Sequence, residues 1–279
     1  MKWHSAFYFS WFLWPIFLAL NMKTYLSDGN PFGYGPKGYL WERFAKRSPS
    51  PLHLDYGAHD GSLIKLLCEA GMILEAVGVD LNSQVVQRAS PNLPPKVKLL
   101  TVKKNDTLPF PDGYFSSVSM VGVLEHIYNQ AHIIEELKRV TRPGGEIFFA
   151  VPGKHFFSFL DMGNWKFQFP KMHKWFYTLT HSEDEYVSRY TANKDGLIGD
   201  IESEKSWHQH FSLKELSELL ANHGLDFVDS DGFGYFNRVL INLRFFMPAK
   251  LKKIIDPLVN WDARLFESAE IWIVVRKAL

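Results

Sequence analysis

Cysteine is almost missing. Cys68 is the only thiol in 279 residues, so no internal disulfide can form and a reducing compartment such as the cytoplasm is expected. It lies beside Leu66 and Leu67, where a buried structural thiol is expected rather than a nucleophile. Charge of one sign is lacking too. The 31 basic and 30 acidic residues leave +1, which creates no field to gather nucleic acid, and no nucleic-acid partner is expected. Signature glycine loops are also lacking. The turn after the first expected strand does not have the Gly-x-Gly-x-x-Gly spacing of a nicotinamide site. No Gly-Lys-Ser/Thr phosphate loop or Gly-x-Ser-x-Gly elbow occurs. Internal repeats and low-complexity tracts are absent.

Aromatic residues are abundant at 15%, and unevenly spread. From Trp3 to Met22 there is no Asp, Glu, Lys or Arg, and eight of the residues are Trp, Phe or Tyr. Pro15, the scarcity of Leu, Ile and Val, and rings that prefer an interface favour a helix lying on a membrane or covering a substrate. A membrane span and a signal peptide following Lys2 are the alternatives, although no small-residue cleavage pattern surrounds Ala19-Leu20-Asn21. Membrane association through residues 3–22 is therefore an expectation alongside a cytoplasmic location.

From Leu52 onward strands and helices alternate. Expected strands are Leu52–Tyr56, Leu74–Asp80, Val97–Val102, Ser117–Val123, Glu146–Val151, Leu225–Val228 and Ile271–Val275. Expected helices are Ser62–Glu69, one capped by Asn82 or Ser83 through Arg88, Asn129–Val140, and one opened by the capping box Ser212–Glu215 and stopped by Gly224. The expected fold is α/β, a Rossmann-like, mostly parallel seven-stranded sheet with helices on both faces, an N-terminal apolar helix and an inserted cap. The expected divisions are 1–38 (apolar helix and linker), 39–152 (cofactor-binding half), 153–210 (cap or substrate region) and 211–279 (completion of the sheet).

Leu54-Asp55-Tyr56-Gly57-Ala58-His59-Asp60-Gly61 reads as strand, tight turn and helix start. Gly57 and Gly61 allow the turn and the approach of backbone N–H groups to a ligand. Asp55 and Asp80 close two neighbouring strands at the carboxyl edge, where open α/β sheets bind ligands and where a carboxylate can hold a ribose diol. A nucleotide-like molecule is the expected ligand.

These residues resemble class I S-adenosylmethionine-dependent methyltransferases, particularly the broad small-molecule group. The likeness is close over Leu52–Pro152 and loose from Ser212 onward. The family's Asp-x-Gly-x-Gly-x-Gly motif is matched by Asp55, Gly57, His59 and Gly61, with His59 in the place of the middle glycine. The resemblance puts Asp55 and Gly57 at the methionine end of the cofactor, Asp80 on the ribose, and Asn105-Asp106 at the adenine amino group. Ala58, His59, Gly61, Leu81, Val123 and Leu124 complete its cofactor-binding set. The string Leu108-Pro109-Phe110-Pro111-Asp112-Gly113-Tyr114-Phe115, leading to Val123-Leu124-Glu125-His126, is the most specific part. S-adenosylmethionine is the implied cofactor and S-adenosylhomocysteine its product. In ubiquinone-pathway O-methyltransferases a Glu three positions before a similar Glu-His joins it on a metal; Gly122 stands there, and no metal is expected.

His126, expected at the end of the fourth strand, is either a general base near neutral pH or a packing residue. His208 and His210 face the same side if extended, as acceptor contact or base, or as structural histidines. Glu202 and Glu204 are near, but the spacing lacks a metal signature. His155 and His173 rank lower. The aromatic and basic stretches Trp3–Leu20, Lys154–Tyr177 and Arg238–Lys253 suit a membrane surface, an apolar acceptor pocket, stacking on sugars, or a plain packed cap. The expectation is a methyltransferase acting, through oxygen, on a small-molecule, lipid-linked or glycan acceptor. The alternative is a cofactor-binding, non-catalytic partner protein with the aromatic stretches as its interface.

Overall fold

The computed structural model describes residues 29–103, 106–161, 164, 168–187, 209–247 and 249–279. The expected apolar helix over residues 3–22, Asn105 and His208 lie outside them.

Helix α1 (Pro36–Ala45) precedes strand β1 (Ser50–Tyr56). Next come α2 (Ser62–Glu69), β2 (Ile73–Asp80), α3 (Ser83–Ala89), β3 (Val97–Thr101), β4 (Phe115–Val121), α4 (Gln130–Val140) and β5 (Thr141–Pro152). Then follow α5 (Pro170–Thr178), α6 (Glu183–Tyr186), α7 (Leu213–Asn222), β6 (Leu225–Phe233), α8 (Asn237–Phe246), α9 (Ala249–Leu265) and β7 (Glu270–Lys277). The strands form one seven-stranded sheet in the order β3-β2-β1-β4-β5-β7-β6. β1 to β5 are parallel, while β7 runs antiparallel to both β5 and β6.

Alternation along the strands divides the core in two. Leu54, Val118, Met120 and Ile147 pack on one face with Ile134 and Leu137 of α4 and Leu216 and Leu220 of α7. Phe148, Ala150, Trp272 and Val274 pack on the other with Leu40 and Phe44 of α1 and Ile64 and Leu67 of α2. Each fully buried Leu or Ile contributes roughly 1.5–3 kcal/mol by leaving water. Cys68 is a buried free thiol, pushed up to about 11 by desolvation.

Strand boundaries differ from expectation at several places: β6 runs on to Phe233 instead of stopping at Val228, and β1 and β7 are each longer by two or three residues. β4 stops at Val121 because Gly122 takes φ 67, so Val123 and Leu124 lie in the turn beyond it. β5 begins at Thr141 with an irregularity, where Phe115 faces Thr141 and the ladder resumes at Ser117 opposite Glu146. Arg142-Pro143-Gly144-Gly145 therefore forms a bulge inside the strand region rather than a loop ahead of it.

The Arg238–Lys253 stretch forms most of α8 and the first turn of α9. Phe236, which begins α8, offers no capping side chain. Asp262 of α9 takes that role: fully buried, it accepts N–H bonds from Tyr235 at 3.1 Å and Phe236 at 2.9 Å. A carboxylate at a helix start satisfies orphan donors and meets the positive end of the dipole. Among the described residues no helix is long and apolar enough to cross a membrane.

Candidate cofactor and acceptor site

The parallel strands β1, β2 and β4 end at one edge, with Asp55 and Asp80 in the strand ends and Gly57, Ala58, His59, Gly61, Leu81, Val123, Leu124 and His126 in the segments that follow. Gly57 leaves β1 at φ 81, and Gly61 opens α2 at φ 72. The Gly57 and Ala58 N–H groups donate to the Val79 carbonyl at 2.8 and 3.1 Å. The His59 N–H donates to Asp80 Oδ2 at 2.8 Å, and the Gly61 N–H to the Ala58 carbonyl at 2.9 Å. The Gly57, Ala58 and His59 N–H groups hold the loop to β2, and the Gly61 N–H closes the turn within the loop. The loop's glycines serve sterically. A Cβ on Gly57 would stand 2.3 Å from Val123 Cγ2, and one on Gly78 would stand 2.6 Å from the Ala58 Cβ. Gly78, which the sequence reading passed over, lets the loop lie directly on β2.

His59 has φ 51 and is the one non-glycine with positive φ among the described residues. Histidine tolerates this region better than most side chains. Its ring points outward, 61% exposed, so the missing glycine does not fill the cleft. Asp80 accepts from both His59 and Asn82 N–H groups, the latter at 2.9 Å, and Asn82 in turn caps α3. Each Asp80 oxygen keeps a second lone pair for a hydroxyl. Leu81 is half-buried against the core, and Asp106 is exposed in the loop after β3.

Asp55 is buried, with Oδ1 accepting from the Ser119 hydroxyl at 2.6 Å. Burial pushes its carboxyl up to about 6, against the Ser119 hydrogen bond and the Lys37 charge, while Asp80 adds to the rise. The Leu108–Phe110 string docks on α4. Glu136 accepts the Leu108 N–H at 2.8 Å, and Arg139 donates to the Leu108 and Phe110 carbonyls at 3.0 and 2.8 Å. The same Arg139, hydrogen-bonded to Glu136, holds that carboxyl below its ordinary range.

Val123 and Leu124 are buried where the chain leaves β4, and Leu124–His126 is a single 3-10 turn. His126 is therefore in a turn rather than at a strand end. Its ring is mostly buried, with Nε2 3.9 Å from Glu125 Oε1, beyond hydrogen-bond reach. His210 lies in the segment leading to Phe211, which bridges to Gly153 at the end of β5. Gln130 ties this segment to the turn: its Nε2 donates to the Leu124 carbonyl at 3.0 Å and to Gln209 Oε1 at 2.9 Å. His210 Nε2 lies 2.8 Å from Asp161 Oδ2, and Arg238 Nη1 reaches Asp161 Oδ1 at 3.3 Å. Asp161 is 3% exposed. No sequence motif announced it. His155 binds the Gly153 carbonyl and Ser158, and His173 binds the Tyr186 hydroxyl; both brace the chain locally.

The donor set suits a nucleoside carrying an amino-acid tail. It offers one carboxylate for a diol, one buried carboxylate for an ammonium, and an apolar wall from Val123 and Leu124.

Residues 54–149 match the methyltransferase domain family. An uncharacterized methyltransferase of Schizosaccharomyces pombe is 28% identical over 143 residues, 43% of this chain. The match takes in 51% of that protein, so the chain spans about half the length of this curated relative. A solved Haemonchus contortus phosphoethanolamine N-methyltransferase 2, in complex with S-adenosyl-L-methionine, has a TM-score of 0.54 at 14% identity, covering 90% of this chain and 55% of that one. The [4+2]-cyclase SpnF has the same TM-score and identity, covering 96% of this chain and 93% of that one. These two likenesses concern the fold.

Proposed function

We propose that this chain, which belongs to the class I S-adenosylmethionine-dependent methyltransferases through residues 54–149, methylates a hydroxyl of a lipid-linked, glycan or small-molecule acceptor. S-adenosylmethionine, when bound, supplies a methyl group already activated on its sulfonium, and its product is S-adenosylhomocysteine. Asp80 holds the ribose, Asp55 the methionine ammonium, and Val123 and Leu124 the apolar side of the cofactor. The chain's task is then alignment at short range, plus removal of the acceptor's proton.

The observation that carries this reading is the Asp161–His210 pair. A buried carboxylate accepting from Nε2–H fixes the tautomer in which Nδ1 is the basic nitrogen. Arg238 keeps Asp161 oriented, and the Gln130–Gln209 contact holds the segment beside the Leu124 turn. His126, in that turn, is the second candidate base, and His208 joins His210 as a candidate from the sequence alone.

Calorimetry with S-adenosylmethionine and S-adenosylhomocysteine, followed by a radiolabelled-methyl screen over lipid, glycan and small-molecule fractions, tests the proposal. Binding of both and label in one fraction is the expected result. Folded protein that binds neither defeats it. Binding with no transfer in any fraction supports the cofactor-binding partner role instead.

The lipid-linked class is favoured by the outer face of α9. Leu251, Ile254, Leu258 and Trp261 recur at helical spacing and are all exposed, while Ile255 and Ala263 on the other side are buried. An exposed apolar row beside Lys253 suits the interface of an anionic bilayer. Full-length protein should float with phosphatidylglycerol vesicles, and Ile254→Asp/Leu258→Asp should lose most of that fraction. Equal flotation of both proteins removes α9 from the membrane contact, and comparison with a form lacking residues 1–22 tests the aromatic N-terminal segment.

A further inference from the structure

The face of the sheet beneath α1 carries a polar line through otherwise apolar packing. The parallel register sets His53 of β1 opposite Ser117 of β4, and Asp55 opposite Ser119. Alternation keeps all four side chains on one face. The His53 ring is fully buried, edge-on to Phe44 of α1. Its Nδ1 is 2.8 Å from Ser117 Oγ, and its Nε2 is 2.9 Å from Ser119 Oγ. Ser119 donates to Asp55 Oδ1 at 2.6 Å. At the other end Ser117 Oγ is 2.8 Å from Ser50 Oγ. Ser50, Ser116 and Ser117 line a cavity of about 390 Å³ at the amino edge of the sheet, with Arg43, Arg47 and Glu146. An unbroken series of hydrogen bonds thus joins that basal cavity to the carboxylate at the opposite edge.

We propose that His53 is a relay residue through which Asp55 exchanges its proton with solvent in the basal cavity. The inference rests on reading the Asp55 edge as the cofactor site. With Asp55 ionised, Ser119 donates to it, Nε2–H donates to Ser119, and Nδ1 accepts from Ser117. For uptake, a hydronium ion or buffer acid reaching the cavity gives a proton to Ser117 Oγ, leaving water or the buffer's conjugate base, while the proton already there moves to Nδ1. The Nε2–H bond breaks as its proton passes to Ser119, and the previous Ser119 proton forms the O–H bond on Asp55. One proton has entered, one carboxylate is neutralised, and the imidazole has changed tautomer while staying neutral. Burial holds the His53 imidazole down to about 3, in keeping with a ring that passes protons without keeping one.

The relay lets Asp55 change its charge when cofactor and acceptor cover the upper edge. The charged groups acting on Asp55 are Lys37 of α1 and Asp80 of β2. Those at the cavity are Arg43, Arg47, Arg142 and Glu146, where Glu146 is paired with both Arg43 and Arg47. Asp55 titrates at about 6, so the ionised form and the Nε2–H tautomer prevail above that pH, and the acid form with Nδ1–H below it.

Nitrogen-15 spectra of the His53 ring in the cofactor-free protein provide the test. The expected result is Nε2–H at pH 7.5 and Nδ1–H at pH 5, with no imidazolium at either. Ser119→Ala should abolish the pH response of the tautomer, and Ser119→Thr, which keeps the hydroxyl, should restore it. One tautomer at both pH values, or a protonated ring, overturns the relay. A second reading comes from S-adenosylhomocysteine affinity, which should weaken about tenfold from pH 7 to pH 5 as one carboxylate near pH 6 is protonated. In Ser119→Ala that fall should begin at higher pH, because the hydrogen bond favouring the carboxylate is gone. An unshifted profile in that variant counts against the relay. Absence of binding at every pH defeats the cofactor reading, and the ring spectra still decide the relay.

Discussion

Gly57→Ala should lower stability by about 2–5 kcal/mol and abolish binding of S-adenosylhomocysteine. Two costs add. An L-residue at φ 81 carries left-handed strain of about 1–2 kcal/mol. The new methyl also meets Val123 Cγ2 at 2.3 Å, an overpacking that typically costs about 1–3 kcal/mol. The turn cannot slide away, because the Gly57 and Ala58 N–H groups both hold the Val79 carbonyl. Relief must therefore come from Val123, which forms the proposed cofactor wall, and that couples the stability loss to binding. Urea unfolding and calorimetry would measure both. Adding Val123→Ala should recover the overpacking part of the stability and leave the strain. A Gly57→Ala protein with the parental urea midpoint and parental affinity would show that the loop is more compliant than its hydrogen bonds indicate.

The second large effect is expected at Asp161. Asp161→Asn keeps the shape but replaces an acceptor oxygen by an amide that can donate to Nε2, which turns His210 to the wrong tautomer. Loss of general-base help lowers kcat by roughly 10²–10⁴. With the acceptor named by the label screen, kcat should drop in that range. Acceptor KM and S-adenosylhomocysteine affinity should stay near the parental values. A kcat within twofold of parental would remove His210 as the base and leave His126 to be tested by His126→Gln. Because Arg238 also bonds Asp161, a urea midpoint for Asp161→Asn separates a catalytic loss from a folding defect.

Local pattern explains why most strands and helices were readable. Period-two burial in Leu54 and Tyr56, the Ser212–Glu215 capping box and the Asn82 cap each act within a few residues, and each is present in the structure. Where pairing decides, the sequence was silent. The Thr141–Gly145 irregularity depends on the register of β5 against β4. The Ser117-x-Ser119 and His53-x-Asp55 repeats were both visible as letters, but only the parallel register joins them into one line. Asp161 and Asp262 are acidic residues without a motif, and each acts on a partner far along the chain. His59 shows the converse: a departure from the family glycine that is conspicuous in sequence but small in space, since its side chain leaves the cleft.

The placement of β7 between β5 and β6 also imposes an order of events. β6 is made earlier, yet among the described residues its one neighbour in the sheet is β7. Until residues 270–277 are available, β5 presents an open edge and β6 has nothing to pair with. Trp272, which lies fully buried against Tyr39 and Phe233, is also missing from one face of the core. During synthesis the cofactor loops can form from β1, β2 and β4, but the half that brings His210 and Arg238 together waits for a strand made after both. Such late, non-local closure slows folding and leaves an adhesive edge exposed in the meantime.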